Sequence, residues 1–278
     1  MQQFNPLYLL SAAILFFSVA AHCASGSASQ QNVPPLLLLT EHSPPGEYLD
    51  ENGQATGATV QLIKLIMQRL DENGRFSIQP WARSLAIAQT SQNTVLFETS
   101  RTEAREKQFN WVGPLKHYDA ALYGRDDILP ANLSQQQINQ GFIACAARGS
   151  FLASQLTDHG FIEGKNLVLT TNDDQCAPML LQGRIDLTPL NERAQQQVTQ
   201  RLPDHVNLVE VMHFPANELY LAFSKDIPRE RLERWQLALE QTYLDGSMRK
   251  LYEPVYREQT IAFLEQFAQQ QERIRQTK

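Results

Sequence analysis

PPLLLLTEHSPPGEYLDENGQATGATVQLIKLIMQRL, residues 34–70, holds the pattern that sets the fold class. PPLLLLT (34–40) is a short apolar run bounded by prolines and by HSPPG, which reads as a buried strand. A polar, turn-rich segment follows, and then ATVQLIKLIMQRL (58–70) places Leu62, Ile63, Ile66, Met67 and Leu70 on one helical face. Working outward, RFSIQPW (75–81) reads as a strand, SLAIAQT (84–90) as a helix and TVLFET (94–99) as a strand. This β-α-β-α-β order predicts a sheet of parallel strands with helices packed on it.

The pattern then repeats. YDAALYG (118–124) reads as a strand-like connector and GFIACA (141–146) as a new strand. SFLASQLTDHG (150–160) is a helix, NLVLTT (166–171) a strand and CAPMLLQG (176–183) a helix. RIDLTPL (184–190) and VNLVEVM (206–212) follow as strands, with ELYLAFS (218–224) as a second connector. Helices are predicted over 228–244 and 247–252, and a Gln-rich tail carries Ile261, Leu264, Phe267 and Ile274 on a helical stripe. The expected organisation is two α/β lobes, residues 34–120 with 218–278 and residues 121–217, joined by two crossovers.

Composition agrees with a globular chain. The 278 residues are 42% hydrophobic and 19% charged, which excludes wholesale disorder. Thirty acids against 24 bases disfavour nucleic acid as a partner. LYLLSAAILFFSVAA (7–21), followed by the small and polar HCASGSASQQ, reads as a secretory signal within residues 1–28, with cleavage after Ala21 or Ala28. A lipoprotein at Cys23 and an uncleaved anchor are the alternatives. Export predicts a periplasmic, soluble, monomeric protein. In an oxidising compartment Cys145, at a strand end, and Cys176, at a helix start, are expected to form a disulfide, two buried thiols being the alternative. Two cysteines without matched histidines make no zinc site, and no metal or cofactor constellation is legible.

Five ordered segments carry a resemblance. They are TEHSPPGEYLDENGQATGATVQLIKLI (40–66), ETSRTEAREKQFNWVGPL (98–115), RGSF (148–151), LLQGRIDL (180–187), and LYLAFSKD (219–226) with ALEQTYLDGSMRKLYEPVY (238–256). Together, over about residues 34–255, they resemble the family 3 extracellular solute-binding proteins, the amino-acid-binding partners of ABC importers. The resemblance implies a two-lobed type II periplasmic-binding-protein fold, each lobe a mixed sheet flanked by helices, with a small-molecule ligand in the cleft between them. It also implies an ABC permease, or a membrane sensor, as partner.

The same resemblance assigns the site. Arg105 stands at the Thr-x-x-Arg position that grips a ligand carboxylate, and a guanidinium offers a planar fork of donors for it. Ser100 matches a hydroxyl position that also touches the carboxylate, with Glu98 two residues before it. Ser150 and the N–H of Phe151 open a helix whose amino end favours an anion, or else Ser150 is a simple cap. Seven residues beyond Arg184 the family usually carries an acid for the ligand ammonium, where this chain has Asn191. Tyr48, Trp81 and Phe151 are the aromatics available to stack on a ligand. Asp186 reads as structural. The expected function is capture of a carboxylate-bearing solute by lobe closure. The alternatives are a dehydratase-like enzyme on the same scaffold, with Glu98 as its acid, and an interaction protein for a membrane signalling partner.

Overall fold

The computed structural model describes residues 34–277, so the expected signal segment, with Cys23, lies outside the described residues. The chain opens with β1 (Leu36–Thr40), the hairpin of β2 (Tyr48–Leu49) and β3 (Ala55–Thr56), α1 (Ala58–Leu70) and β4 (Gly74–Ile78). Next come α2 (Trp81–Thr90), β5 (Thr94–Ser100), α3 (Glu103–Glu106) and β6 (Asn110–Tyr118). The chain then crosses over to β7 (Ala121–Arg125), α4 (Gln135–Gly141), β8 (Ala144–Ala147), α5 (Phe151–Asp158) and β9 (Leu167–Thr170). That half continues with α6 (Cys176–Leu181), β10 (Leu187–Leu190), α7 (Glu192–Thr199) and β11 (Leu208–His213). Return is through β12 (Asn217–Phe223) to α8 (Arg229–Leu244), α9 (Ser247–Tyr252) and α10 (Glu258–Gln276).

These strands form two five-stranded sheets, β4-β1-β5-β12-β6 and β11-β7-β10-β8-β9. In the first, β1 is parallel to both neighbours, while β12 runs antiparallel between β5 and β6. In the second, β8 is parallel to β9 and β10, and β7 is antiparallel to β10 and β11. Both sheets are therefore mixed, and each has its own core. Leu38, Ile63, Phe97, Leu221, Phe223 and Trp235 pack on the first, and Leu122, Ile138, Leu156, Phe161 and Leu187 on the second. β1 is almost wholly buried, as its unbroken apolar run requires. α1 buries Leu62, Ile63, Ile66 and Met67, the stripe its spacing predicts.

The elements that differ from the pattern have physical reasons. Trp81 opens α2 and does not end a strand, because the Pro80 carbonyl already accepts from the N–H groups of Arg83 (2.9 Å) and Ser84 (3.1 Å). α4 buries only Ile138 and α7 only Val198, so neither carries an apolar period to read. β6 is interrupted by Gly113-Pro114 and bulged against β12, which hides it in the sequence. In α10 the buried stripe is Ile261, Leu264 and Ala268, while Ile274 is exposed. Arg249 holds this helix through both Glu258 and Glu265, and Arg275 reaches Glu240 on α8. No helix of the described residues is long and apolar enough to cross a membrane.

Cys145 of β8 and Cys176 of α6 are bonded, with Cα atoms 5.6 Å apart, among the buried Leu180, Ile185 and Leu190. Asp186 accepts a hydrogen bond from the Ile143 N–H at 2.8 Å and so ties the start of β8 to the approach of β10. The bridge closes a 31-residue separation, for which loop entropy gives a stabilisation of about 3.7 kcal/mol. Cys145→Ala/Cys176→Ala is expected to lose that amount in urea unfolding, and reduction of the wild type should reproduce the loss. Identical midpoints with and without reductant would remove the bridge as a stabilising element.

Candidate functional site

The loops that follow β1, β5, β8, β9 and β10 leave the carboxyl ends of parallel strands, where open α/β sheets place their ligands. They carry Glu41, Ser100 to Arg105, Gly149-Ser150, Asp173 and Asn191 respectively. The two sets of loops meet at Gly149. Its carbonyl accepts from Trp81 Nε1 at 2.8 Å and from Arg105 Nη2 at 2.9 Å.

Arg105 is 8% exposed, its guanidinium carbon 5.4 Å from the centre of the Trp81 ring, with Nη1 donating to the Ser100 carbonyl at 3.3 Å. Burial lowers its pKa and the Glu41 charge works the other way. Of its five N–H donors, the two bonds to carbonyls occupy two. Ser100 is buried and its hydroxyl accepts from Asn217 Nδ2 at 2.6 Å. Thus Trp81, Ser100, Arg105 and the Gly149-Ser150 loop do come together.

Beside them lies a buried polar cluster of which the sequence pointed to Glu98 alone. Glu98 has φ 58°, in the left-handed region, at the bulge where β5 slips against β12. Its carboxylate accepts from Thr59 Oγ1 at 2.5 Å and pairs with Lys116 Nζ at 2.8 Å. Lys116 also stands over the Tyr256 ring, 5.1 Å from its centre. Burial opposes the Lys116 charge, but Glu98, then Tyr256 and Glu47, outweigh it and hold its pKa above the usual lysine range. Burial, and then the neighbouring Glu98, push Glu47 well above the usual carboxylate range.

The remaining expected residues stand in other roles. The Ser150 hydroxyl caps α5 by accepting from the Ala153 N–H at 3.1 Å, and Phe151 packs half-buried against the second core. Asn191 caps α7, its Oδ1 accepting from the Ala194 N–H at 2.9 Å. Tyr48 lies in the β2–β3 hairpin, edge-on to His42. Asn191 does line a cavity of about 890 Å³ with Pro44, Pro45, Tyr118, Asp173 and Tyr256. Arg257 and Glu192, also on its walls, pair with each other.

Two acids reach this region from opposite sheets. Glu41 follows β1 directly, and burial, then Asp173, then Glu98, raise its pKa to about 8. Asp173 meets the water of the cleft yet has protein packed around it, and that burial, with Asp174 beside it, raises its pKa as well. The one available signal for Glu41 was its place at a parallel strand end. Asp173 and Lys116 carried none, since the contacts that matter are made by distant residues.

Residues 37–258 match the model of the bacterial extracellular solute-binding proteins, family 3. No curated protein is similar enough in sequence to be matched to the chain. Among solved structures, a histidine kinase sensor domain with similarity to periplasmic binding proteins superposes with a TM-score of 0.68 at 22% identity, covering 79% of this chain and 95% of its own. An ancestral arginine-binding protein bound to arginine gives 0.66 at 22% identity, covering 80% of this chain and 98% of its own. An ancestral amino-acid-binding protein, AncCDT-1, a precursor of cyclohexadienyl dehydratase, gives 0.66 at 20% identity, covering 80% and 96%. At these identities the likeness is one of fold: two lobes, each a mixed sheet flanked by helices. The family match runs from β1 to the first residue of α10 and takes in both sheets and every loop around Gly149, so the chain belongs to the bacterial extracellular solute-binding proteins, family 3.

Proposed function

We propose that the protein is an exported receptor that captures a small solute carrying a carboxylate and a cationic group, by closure of two lobes. Arg105 carries this reading: it is a buried guanidinium that spans the two sheets and has three N–H donors beyond its two carbonyl bonds. Ser100 is the second contact to the carboxylate. Glu41, raised by burial and Asp173, and Asp173, raised by burial and Asp174, suit a cation between them, a role that Asn191 as a helix cap leaves open. The lobes of this proposal are residues 34–120 with 218–278 and residues 121–217, hinged at the two crossovers. A ligand touching both stabilises the closed form over the open one.

Delivery to an ABC permease fits the family, and the disulfide suits an oxidising compartment. The likeness to a histidine kinase sensor domain favours sensing as the second reading. Binding is preferred to acid-assisted elimination because Glu98, the acid that such an enzyme would use, is held by Thr59 and Lys116. Deleting the gene separates transport from sensing: solute uptake falls in the first case, and a solute-induced response is lost with uptake intact in the second.

The solute is sought by a thermal-shift screen of amino acids, opines and small organic acids, and its affinity measured by calorimetry. Arg105→Ala is expected to weaken binding by about 2–5 kcal/mol, mostly through faster release. Unchanged affinity would sink the assignment of Arg105 to the grip.

The pH dependence has a definite sign. A carboxyl whose pKa rises from 4.5 to about 8 on folding adds stability that is complete below 4.5 and lost as pH climbs through 8. The melting temperature should therefore fall between pH 5 and pH 9, and Glu41→Gln should flatten that fall. A cation-bearing solute should raise the melting temperature most above pH 8, where Glu41 is ionised. Equal slopes in wild type and Glu41→Gln would remove Glu41 from this role.

A further inference from the structure

The Gly149 carbonyl is the second-lobe group that both Trp81 and Arg105 reach, at 2.8 Å and 2.9 Å. A carbonyl oxygen has two lone pairs, so these two donors satisfy it fully. The first-lobe side of the contact is rigid. Trp81 is 3% exposed, packed among Leu39, Ala88, Leu96 and Phe109, and its ring supports the Arg105 guanidinium from 5.4 Å. The second-lobe side is shaped to meet it. Gly149 has φ +73°, a left-handed conformation that glycine adopts without steric penalty. A Cβ there would lie 3.7 Å from Trp81 Cδ1 and 3.9 Å from Ala82 Cβ, so the loop already touches the start of α2. One bond is charge-assisted, and both donors come from buried side chains, while Gly149 itself is exposed.

We propose that this contact is a latch: the solute-free protein closes on its own Gly149 carbonyl, which takes a place beside Arg105 that a solute oxygen would otherwise share. The closed arrangement is then the resting state, and a solute enters when the latch releases. The latch depends on the closed contact alone and not on the solute reading: capture at Arg105 is tested by calorimetry with solute, the latch by the protein without any.

The experiment uses the full chain, unfolded, dialysed and refolded so that no solute remains. Small-angle scattering gives the lobe separation, and ¹⁵N-indole spectra give the exchange rate of the Trp81 Nε1–H, identified as the signal that Trp81→Phe removes. The solute-free wild type is expected to scatter as the closed form, with the Trp81 indole proton exchanging at least tenfold more slowly than a free indole. Trp81→Phe keeps an aromatic ring under Arg105 but loses the donor, and its radius of gyration should rise toward the open form. A wild type that is open without solute overturns the proposal, and so does a Trp81→Phe variant as closed as the wild type. If Trp81→Phe does not fold, Trp81 is assigned by triple-resonance spectra of the wild type alone. Slow exchange of its indole proton supports the latch, and exchange at the free rate overturns it.

Discussion

Strand β12 lies between β5 and β6, and the rest of the structure depends on that insertion. The chain must leave the first sheet, build a second one and come back to fill a gap in the first. Leu219 of β12 pairs with Ser100 on one side and with Lys116 on the other, so the return strand holds the two edges of the candidate site at one level. Both neighbours slip in register there. β5 bulges at Glu98, and β6 bulges around Gly113, where the Tyr220 ring comes within 2.5 Å of where a Cβ would stand. Only glycine fits at Gly113. Bulges bend a strand and re-aim its side chains, and these two turn Glu98 and Lys116 toward each other beneath the cleft.

The cluster they form pairs its charges internally. A buried carboxylate and a buried ammonium are tolerated because they are paired, and burial and the neighbouring Glu98 disfavour a further charge on Glu47. Above them, the Pro-Pro-Gly turn docks on the amino end of α1. The Ala58 N–H donates to the Pro45 carbonyl at 3.0 Å, and the Thr59 N–H to the Gly46 carbonyl at 3.0 Å. Those helix-start donors, elsewhere a ready anion site, are thus occupied by the chain itself. At α5 the Ser150 hydroxyl is likewise a cap. Among the described residues, Arg105 is a buried cation with no carboxylate in direct contact, its bonds being to the Ser100 and Gly149 carbonyls.

What the sequence by itself determined is the short-range part of this protein. An unbroken apolar run had to be a two-faced strand in β1, and a 3.6-residue stripe had to be the buried face of α1. The expected strand end at Cys145 lies instead inside β8, next to the α6 start at Cys176, and the two are bridged. Polar helices such as α7 stayed hidden because a single buried valine makes no period. Only the tertiary structure decided what the site residues do. Arg105 meets Gly149 across 44 residues, Thr59 meets Glu98 across 39, and Asn217 meets Ser100 across 117. Such bonds depend on where a donor points after two sheets have packed, and donor direction leaves no periodic trace in a chain. Asn191 shows the same limit: the amide that stands at an ammonium position by motif is turned, by the helix it opens, into that helix's cap.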